Sequence, residues 1–178
     1  MLQLHKPELK QEEQEILDFF NDWQRYCKYQ FNKDPDAGKK FYDVPEVMYH
    51  DLMGNGARGD FEEHYDRIGP YLANAQIAYK DLEITAVSKE FGYATMIQRY
   101  WGKTKDEIDF DFKYRIIGLV AKTNGKWLWV HEHISFPVDL KTRIADFEGG
   151  LRPKEALYLG DKSWGERPLE EVKLPQSK

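Results

Sequence analysis

The sequence predicts an α+β fold, a cone-shaped α+β barrel in which a curved antiparallel sheet wraps around N-terminal helices. Before Ile77, apolar residues recur mostly at helical spacing, whereas beyond it apolar and polar residues alternate in four long runs. Short links join these runs, which favours antiparallel pairing of neighbouring strands. A curled sheet closed by helices encloses a cavity, and such a cavity is where a small ligand is expected.

Composition and charge restrict the function classes. The 178 residues are 41% hydrophobic and 15% aromatic, as expected for one folded domain with a full core. The net charge is -5 with both signs interspersed, so we expect no nucleic-acid partner. Cys27 is the only cysteine, which excludes an intramolecular disulfide. Because no apolar run could span a bilayer and the N-terminus has no apolar leader, we expect no membrane partner and a cytoplasmic location.

The first predicted element is a long amphipathic helix that follows Pro7. Its apolar stripe is formed by Ile16, Phe20, Trp23 and Cys27. Tyr26 lies beside this stripe and is expected to reach over its edge towards the cavity. The alternative is that Trp23 and Tyr26 are core residues, because large aromatic side chains usually bury for their area.

Two shorter helices are predicted next. Asp34 and Pro35 suit the start of a helix over residues 36–41. Asp60 with Glu63 resembles a capping box and predicts a helix that runs to about Leu72. We expect His64 to face solvent, because its neighbours in the sequence are mostly acidic.

Residues 44–53 are predicted to form the first strand. The alternation of a strand places Val47, Tyr49, Asp51 and Met53 on one face. A carboxylate in an otherwise apolar row is a candidate catalytic group. The alternative is structural: Asp51 ends the strand and caps the glycine-rich turn that follows.

Four long strands are then predicted from alternation of period two, with turns at residues 91–92, 104–107 and 124–125. They cover residues 79–88, 93–101, 108–122 and 127–138. The segment after Pro137 is rich in glycine and proline, which is typical of an extension that packs on a surface.

Several ordered features of the sequence resemble the SnoaL-like branch of the nuclear transport factor 2-like superfamily, relatives of ketosteroid isomerase and scytalone dehydratase. They are the long first helix, the strand end VMYHDLMG followed by ARGDFEEHY, the antiparallel strands, and the closing phrase NGKWLWVHEHISFP. The likeness covers about Glu12 to Pro137. It implies a SnoaL-like domain over residues 1–138. The composition after Pro137 predicts that residues 139–178 form a C-terminal extension, packed on the domain or on a partner subunit, with a mobile end.

The resemblance also implies roles for individual residues. Asp51 stands where ketosteroid isomerase has its proton-shuttling base. Tyr26 falls near the tyrosine of the first helix that hydrogen-bonds the substrate oxygen in that enzyme. Tyr114 stands in place of the protonated acid of its oxyanion hole, and this replacement argues against a steroid isomerase. A tyrosine hydroxyl is still able to donate a hydrogen bond at both positions.

The turn at residues 123–125 decides which residues of the last strand face the cavity. A two-residue loop at Asn124 and Gly125 pairs Tyr114 near Ser135, on the face of His131 and His133. A three-residue loop pairs Tyr114 near Ile134 instead. The resemblance favours the second register, which turns inward Ile116, Val130, Glu132 and Ile134.

In that register the convex face of the sheet carries a second set of polar and aromatic residues. It holds Arg115, Trp127, Trp129, His131, His133 and Ser135, with Arg115 expected across from His133. We expect a face of this kind to be covered by a second subunit, and a homodimer through it is therefore predicted. His131 and His133 could alternatively be two ligands of a metal, but we find no third ligand and predict no metal site.

The resulting functional prediction is a cofactor-independent enzyme that performs proton-transfer chemistry on a small, mostly apolar organic ligand. Isomerisation, cyclisation, dehydration and hydrolysis all belong to this class. The catalytic candidates are Asp51, Tyr26, Tyr114 and Glu132. The substrate-binding candidates are Trp23, Tyr49, Met53, Ile116, Val130 and Ile134. The alternative is a non-catalytic ligand-binding or dimerisation domain, since one fold serves many functions.

Overall fold

The structure, a computed structural model, describes residues 4–51, 56–138 and 142–147. Within these residues lie two α-helices, two 3₁₀ helices and a six-stranded sheet. The helices are α1 (Lys10–Tyr29) and α2 (Phe61–Tyr71), with 3₁₀ helices at Pro7–Leu9 and Asp36–Phe41. The strands are β1 (Met48–His50), β2 (Gly56–Arg58), β3 (Asn74–Ala86), β4 (Phe91–Lys103), β5 (Asp109–Thr123) and β6 (Lys126–Ser135).

The sheet confirms the predicted α+β fold class and adds one parallel pair. The strand order is β2-β1-β6-β5-β4-β3, and consecutive long strands are antiparallel as expected. Strand β1 joins the sheet beside β6, and these two strands run parallel. The pairing brings the first strand of the chain next to the last, so residues far apart in the sequence share one face.

The core lies between α1 and the concave face of the sheet. The stripe predicted for α1 is buried, together with Leu17 and Phe19 beside it. The helix packs mainly on β3, and Gln24 donates a hydrogen bond of 3.1 Å to the Ile77 carbonyl. Within the described residues, no helix is long and apolar enough to cross a membrane.

The β5–β6 hairpin differs from both predicted registers. Thr123 pairs with Lys126, so the turn has two residues, Asn124 and Gly125, both with positive φ (52° and 76°). These values are those of a type I′ turn. Further along, Leu119 pairs with His131 while Val120 pairs with Trp129, which leaves Val130 as the extra residue of a β-bulge.

The bulge places both halves of β6 on the concave side. Before it, Trp127 and Trp129 are buried, at 7% and 2% exposure, against the core. Beyond it, Glu132 and Ile134 face the same side. The prediction that Trp127 and Trp129 lie on the convex face was therefore wrong. Before the bulge the strands pair in the register of a two-residue loop, which turns both tryptophans inward. After the bulge the side chains face the sides expected for a three-residue loop, which turns Glu132 and Ile134 inward.

The first strand is shorter than predicted and has a partner that the sequence did not suggest. Residues 44–46 form a turn, and β1 holds only Met48–His50. Strand β2 pairs with β1 as an antiparallel hairpin. Helix α2 begins where expected, but Asp60 makes no side-chain cap; its carboxylate accepts a hydrogen bond of 3.2 Å from the Tyr49 hydroxyl instead.

The described part of the extension returns to the end of the sheet. Val138 forms a bridge with Ala145, and the Lys113 amide of β5 donates to the Phe147 carbonyl at 2.8 Å. The Phe147 ring packs on Phe136, with centroids 4.6 Å apart. The predicted boundary at residue 139 and most of the extension lie outside the described residues.

Candidate functional site

A cavity opens between the concave face of the sheet, α2 and the C-terminal part of α1. Its volume is about 150 Å³, many times the ~15 Å³ that one water molecule needs. Its walls are mostly aromatic and aliphatic, with a few polar groups. The lining residues are Trp23, Phe31, Tyr42, Tyr49, Asp51, Phe61, His64, Tyr65, Ile68, Gly69, Leu72, Ile77, Gln98, Tyr100, Tyr114, Ile116, Trp129, Glu132 and Ile134.

The parallel pairing of β1 with β6 brings two carboxyl groups to this cavity. Tyr49 lies opposite Glu132 in the register, and the strand alternation turns Asp51 to the same side as Tyr49. Asp51 and Glu132 are thus diagonal neighbours on one face, and both line the cavity. The bulge at Val130 is what directs Glu132 inward.

Glu132 is the carboxyl group whose titration stands out. Burial, followed by the negative charge of Asp51, raises its pKa from 4.5 to about 7. No hydrogen-bond donor among the described residues compensates its charge. A carboxyl group with a pKa near neutrality can give or take a proton under physiological conditions.

His64 is the functional candidate that the sequence reasoning missed. The prediction that it faces solvent was wrong: its side chain is buried and lines the cavity. Its Nε2 lies 2.8 Å from Asp51 Oδ2, and its ring stacks on Tyr49 at 4.8 Å between centroids. The missed signal was helical spacing, since His64 is one turn after Phe61 in the apolar stripe of α2.

Arg67 determines which nitrogen of His64 carries the hydrogen. Its guanidinium lies 3.3 Å from His64 Nδ1, and arginine can only donate hydrogen bonds. Nδ1 therefore accepts, and the ring hydrogen is on Nε2, which donates to the Asp51 carboxylate. This hydrogen bond orients Asp51.

Tyr114 lines the cavity as predicted. Its hydroxyl oxygen accepts a hydrogen bond of 2.6 Å from Gln98 Nε2. Burial raises the pKa of Tyr114 well above its usual value, so the hydroxyl keeps its hydrogen. Within the described residues that hydrogen has no acceptor, so it is available to a ligand oxygen.

Tyr26 does not line the cavity. Its hydroxyl lies 2.8 Å from the carbonyl oxygens of both Asp34 and Pro35, and burial raises its pKa to about 12. Tyr65 donates to the same Pro35 carbonyl at 2.9 Å. Gly38 makes this convergence feasible, because a Cβ there would lie 1.8 Å from the Tyr65 oxygen. In the structure, Tyr26 is therefore a packing residue that holds the 3₁₀ segment.

Most of the predicted substrate-binding residues line the cavity. Trp23, Tyr49, Ile116 and Ile134 do so, whereas Val130 does not, because it is the extra residue of the bulge. Met53 lies outside the described residues.

The predicted polar network lies on the convex face with a different pairing. Arg115 is opposite Ser135, not His133, and His133 is opposite Ile117. His50 of β1 joins the network, with ring centroids 5.9 Å from His131 and 5.5 Å from His133. Burial, followed by the charges of the other two histidines, lowers the pKa of His131. Among the described residues, no group of three or more His, Cys, Asp or Glu side chains is arranged to hold a metal ion.

Comparisons with known proteins bear on the fold. No protein-family model matches the chain, and no curated protein matches it. Solved structures do match. An NTF2-like protein of unknown function from Pseudomonas putida KT2440 has 18% identity and a TM-score of 0.61, and the match covers 80% of this chain and 97% of that one.

Two further structures show the range of proteins with this fold. A candidate scytalone dehydratase from Novosphingobium aromaticivorans DSM 12444 has 16% identity and a TM-score of 0.59, over 79% of this chain and 95% of that one. The association domain of C. elegans CaMKII has 13% identity and a TM-score of 0.53, over 73% and 99%. The chain thus has the cone-shaped α+β fold of nuclear transport factor 2-like proteins, and the superfamily resemblance seen in its sequence is confirmed at the level of the fold.

Proposed function

We propose that this protein is a cofactor-independent enzyme that transfers protons on a small, mostly apolar molecule bound in the cavity. The observation that carries the proposal is the position of Glu132, a carboxyl group with a pKa of about 7, on the same wall as Asp51. A proton-transfer catalyst needs such a group within an apolar site. The Asp51–His64 pair and the Tyr114 hydroxyl supply the remaining polar groups.

The chemistry follows from these positions. An ionised Glu132 takes a proton from a carbon next to a carbonyl, and the electron pair of the broken C–H bond moves to the carbonyl oxygen. The Tyr114 hydroxyl donates a hydrogen bond to that oxygen as its negative charge develops. Glu132 then returns the proton to the same or another carbon. Asp51, oriented by His64, is the second carboxyl group able to exchange a proton with the substrate.

Deuterium exchange tests the proposal without knowledge of the natural substrate. A panel of small cyclic ketones is incubated with the protein in D₂O, and uptake of deuterium next to the carbonyl is followed by NMR. We expect the rate to rise with pH through about 7, as Glu132 ionises. We expect Glu132→Gln to lower it at least ~100-fold, the scale of one general base, and Asp51→Asn to lower it as well.

The matched control is Glu46→Gln, which alters an exposed carboxyl group paired with Arg58 outside the cavity. Its exchange rate should equal that of the unchanged protein. Circular dichroism establishes that each variant is folded. Exchange that persists in Glu132→Gln, or that is absent for every ketone, would contradict the proposal and favour the alternative of a ligand-binding domain.

We also propose that the convex face of the sheet binds a second copy of this chain. Ile117, at the centre of that face, is 46% exposed, with Thr95 and His133 as its neighbours on the adjacent strands. The buried centre of a protein interface is more apolar than the surface around it, and Ile117 would form that centre here. A second copy presents the same surface and forms a symmetric interface. The fold match to an association domain supports self-association.

Light scattering after size exclusion measures the assembly. We expect the mass of a dimer for the unchanged protein and that of a monomer for Ile117→Glu. Ile108→Glu is the control, because Ile108 is also exposed, at 57%, but lies in the β4–β5 link away from this face. A monomeric unchanged protein, or a dimer that tolerates Ile117→Glu, would exclude the convex-face interface.

A further inference from the structure

The charge of the cavity is one-sided. Its described lining contains two carboxyl groups, Asp51 and Glu132, and no lysine or arginine. His64 lies between Arg67 and Asp51, with its Nδ1 3.3 Å from the Arg67 guanidinium and its Nε2 2.8 Å from the Asp51 carboxylate. The repulsion from Asp51 contributes to the raised pKa of Glu132. Among the described residues, the wall of this apolar cavity therefore carries acidic groups and no basic one, and Arg67 lies behind His64 rather than on the wall.

The walls around these carboxyl groups are aromatic. The faces of aromatic rings carry partial negative charge, and they attract cations most strongly where water is excluded. Nine Phe, Tyr and Trp side chains of the described residues line the cavity: Trp23, Phe31, Tyr42, Tyr49, Phe61, Tyr65, Tyr100, Tyr114 and Trp129. An aromatic enclosure with an adjacent carboxylate is the chemistry that recognises organic ammonium groups.

We propose that the cavity binds a small organic cation, a protonated amine or a quaternary ammonium, with its charge next to Asp51 and Glu132 and its apolar groups against the aromatic walls. The cation would neutralise the repulsion between the two carboxyl groups, which a neutral ligand would leave in place. The inference names the ligand class of the site described above. Binding of the cation does not depend on the proposed function, and only the statement that the bound cation is also the substrate rests on it.

Binding of a cation should depend on pH through Glu132. The groups that face Glu132 from the neighbouring elements are Asp51, His64, Tyr42, Tyr79, Tyr100 and Tyr114. Burial raises the pKa of each of these four tyrosines, so they stay neutral. A cation favours the ionised form of Glu132. The affinity of the protein for the cation should therefore increase about tenfold from about pH 6 to about pH 8. At the lower pH, binding of the cation should release a proton from Glu132.

Isothermal titration calorimetry of the full chain tests this inference with defined probes. The cations are choline and benzyltrimethylammonium, and the comparison compound is 3,3-dimethylbutan-1-ol, which has the shape of choline without its charge. We expect at least one cation to bind, and the choline pair to differ at least tenfold in favour of the cation. Glu132→Gln and Asp51→Asn should each weaken cation binding about tenfold, whereas Glu46→Gln should not change it.

Two results would overturn the inference: neither cation binds, or the neutral alcohol binds as tightly as choline. Because Asp51→Asn also replaces the charged acceptor of His64 with a neutral amide, Glu132→Gln is the decisive variant if Asp51→Asn is unfolded. The outcome is separable from that of the exchange experiment. Ketone exchange without cation binding would refute the ligand class and leave the enzyme proposal standing, and cation binding without exchange would do the reverse.

Discussion

The two halves of β6 have the same alternating pattern, but the first packs in the core and the second lines the cavity. Before the bulge, the inward residues Trp127 and Trp129 pack into the core under α1, where Trp129 contacts Phe19 with ring centroids 5.0 Å apart. Beyond the bulge, Glu132 and Ile134 face an open cavity under α2. The inward side of β6 thus packs in the core before the bulge, which we call the solid half, and lines the cavity after it, which we call the hollow half. One extra residue lets both halves turn inward.

The two halves of β6 also differ in the space that the neighbouring strand β5 leaves for their side chains. Gly118 of β5 lies opposite Glu132, and a Cβ there would come within 2.8 Å of the Trp129 indole nitrogen. The missing side chain lets the indole lie across β5 at the end of the core. A glycine at this position is therefore part of the boundary between core and cavity.

Deletion of Val130 should change the arrangement of the two halves of β6 more than any substitution considered below. Without the extra residue, one half of β6 must turn its inward set to the convex face, because a slip of one residue reverses every side chain. Either the tryptophans leave the core or Glu132 leaves the cavity. We expect a loss of roughly 4 kcal/mol or more in the free energy of unfolding, measured by urea denaturation.

Val130→Ala keeps the length of the strand and is the control for the deletion. It should cost less than about 1.5 kcal/mol, since Val130 is only partly buried. If the deletion variant were as stable as Val130→Ala, the bulge would not be what holds the two halves in place.

A substitution in the hollow half should stabilise the protein. The pKa of Glu132 is raised from 4.5 to about 7 in the folded state, so the folded protein binds more protons than the unfolded chain between these pH values. Its stabilising contribution is complete below pH 4.5 and is lost as pH rises through about 7. Glu132→Gln should remove this loss and increase the free energy of unfolding at pH 8 by roughly 2–3 kcal/mol.

Denaturation with urea at several pH values measures the effect. The unchanged protein should lose stability between pH 4.5 and pH 7 more steeply than Glu132→Gln. Parallel curves for the two proteins would mean that Glu132 is not buried as an isolated carboxyl group.

The solid half of β6 offers a smaller effect of opposite sign. Hydrogen bonds from Lys122 and then from Trp127, the latter of 2.9 Å, lower the pKa of Glu15 to about 2. Because the folded pKa is lowered, the contribution of Glu15 is present above pH 4.5 and is lost as pH falls towards 2. The site is partly exposed, so Glu15→Gln should cost at most about 1 kcal/mol at pH 7. The difference in unfolding temperature between Glu15→Gln and the unchanged protein should be smaller at pH 3 than at pH 7.

Much of the fold follows from local patterns in the sequence. Asn124 and Gly125 define the hairpin turn because both residues accept the positive φ of a type I′ turn. The buried stripe of α1 follows from its helical spacing. The bulge does not follow, because Trp127 to Ser135 alternates equally well in either register, and only the packing of Trp129 into the core selects it.

The site was predictable in part. Asp51, Tyr114 and Glu132 line the cavity, as their strand positions and the family resemblance suggested. His64 was missed because the acidic residues around it outweighed its place in the apolar stripe of α2. Tyr26 was placed in the cavity on its position in the helix and on the family resemblance, and neither reveals the backbone carbonyls of Asp34 and Pro35 that hold its hydroxyl.

The parallel pairing of β1 with β6 also has a consequence for the order of assembly. Tyr49 meets Glu132 only when the last strand is in place, so a nascent chain on the ribosome has no two-carboxyl wall until β6 has emerged. The earlier strands and α1 can collapse first, because β3, β4 and β5 are neighbours in sequence as well as in space. A chain that ends before β6 would therefore carry Asp51 and His64 without the group they face.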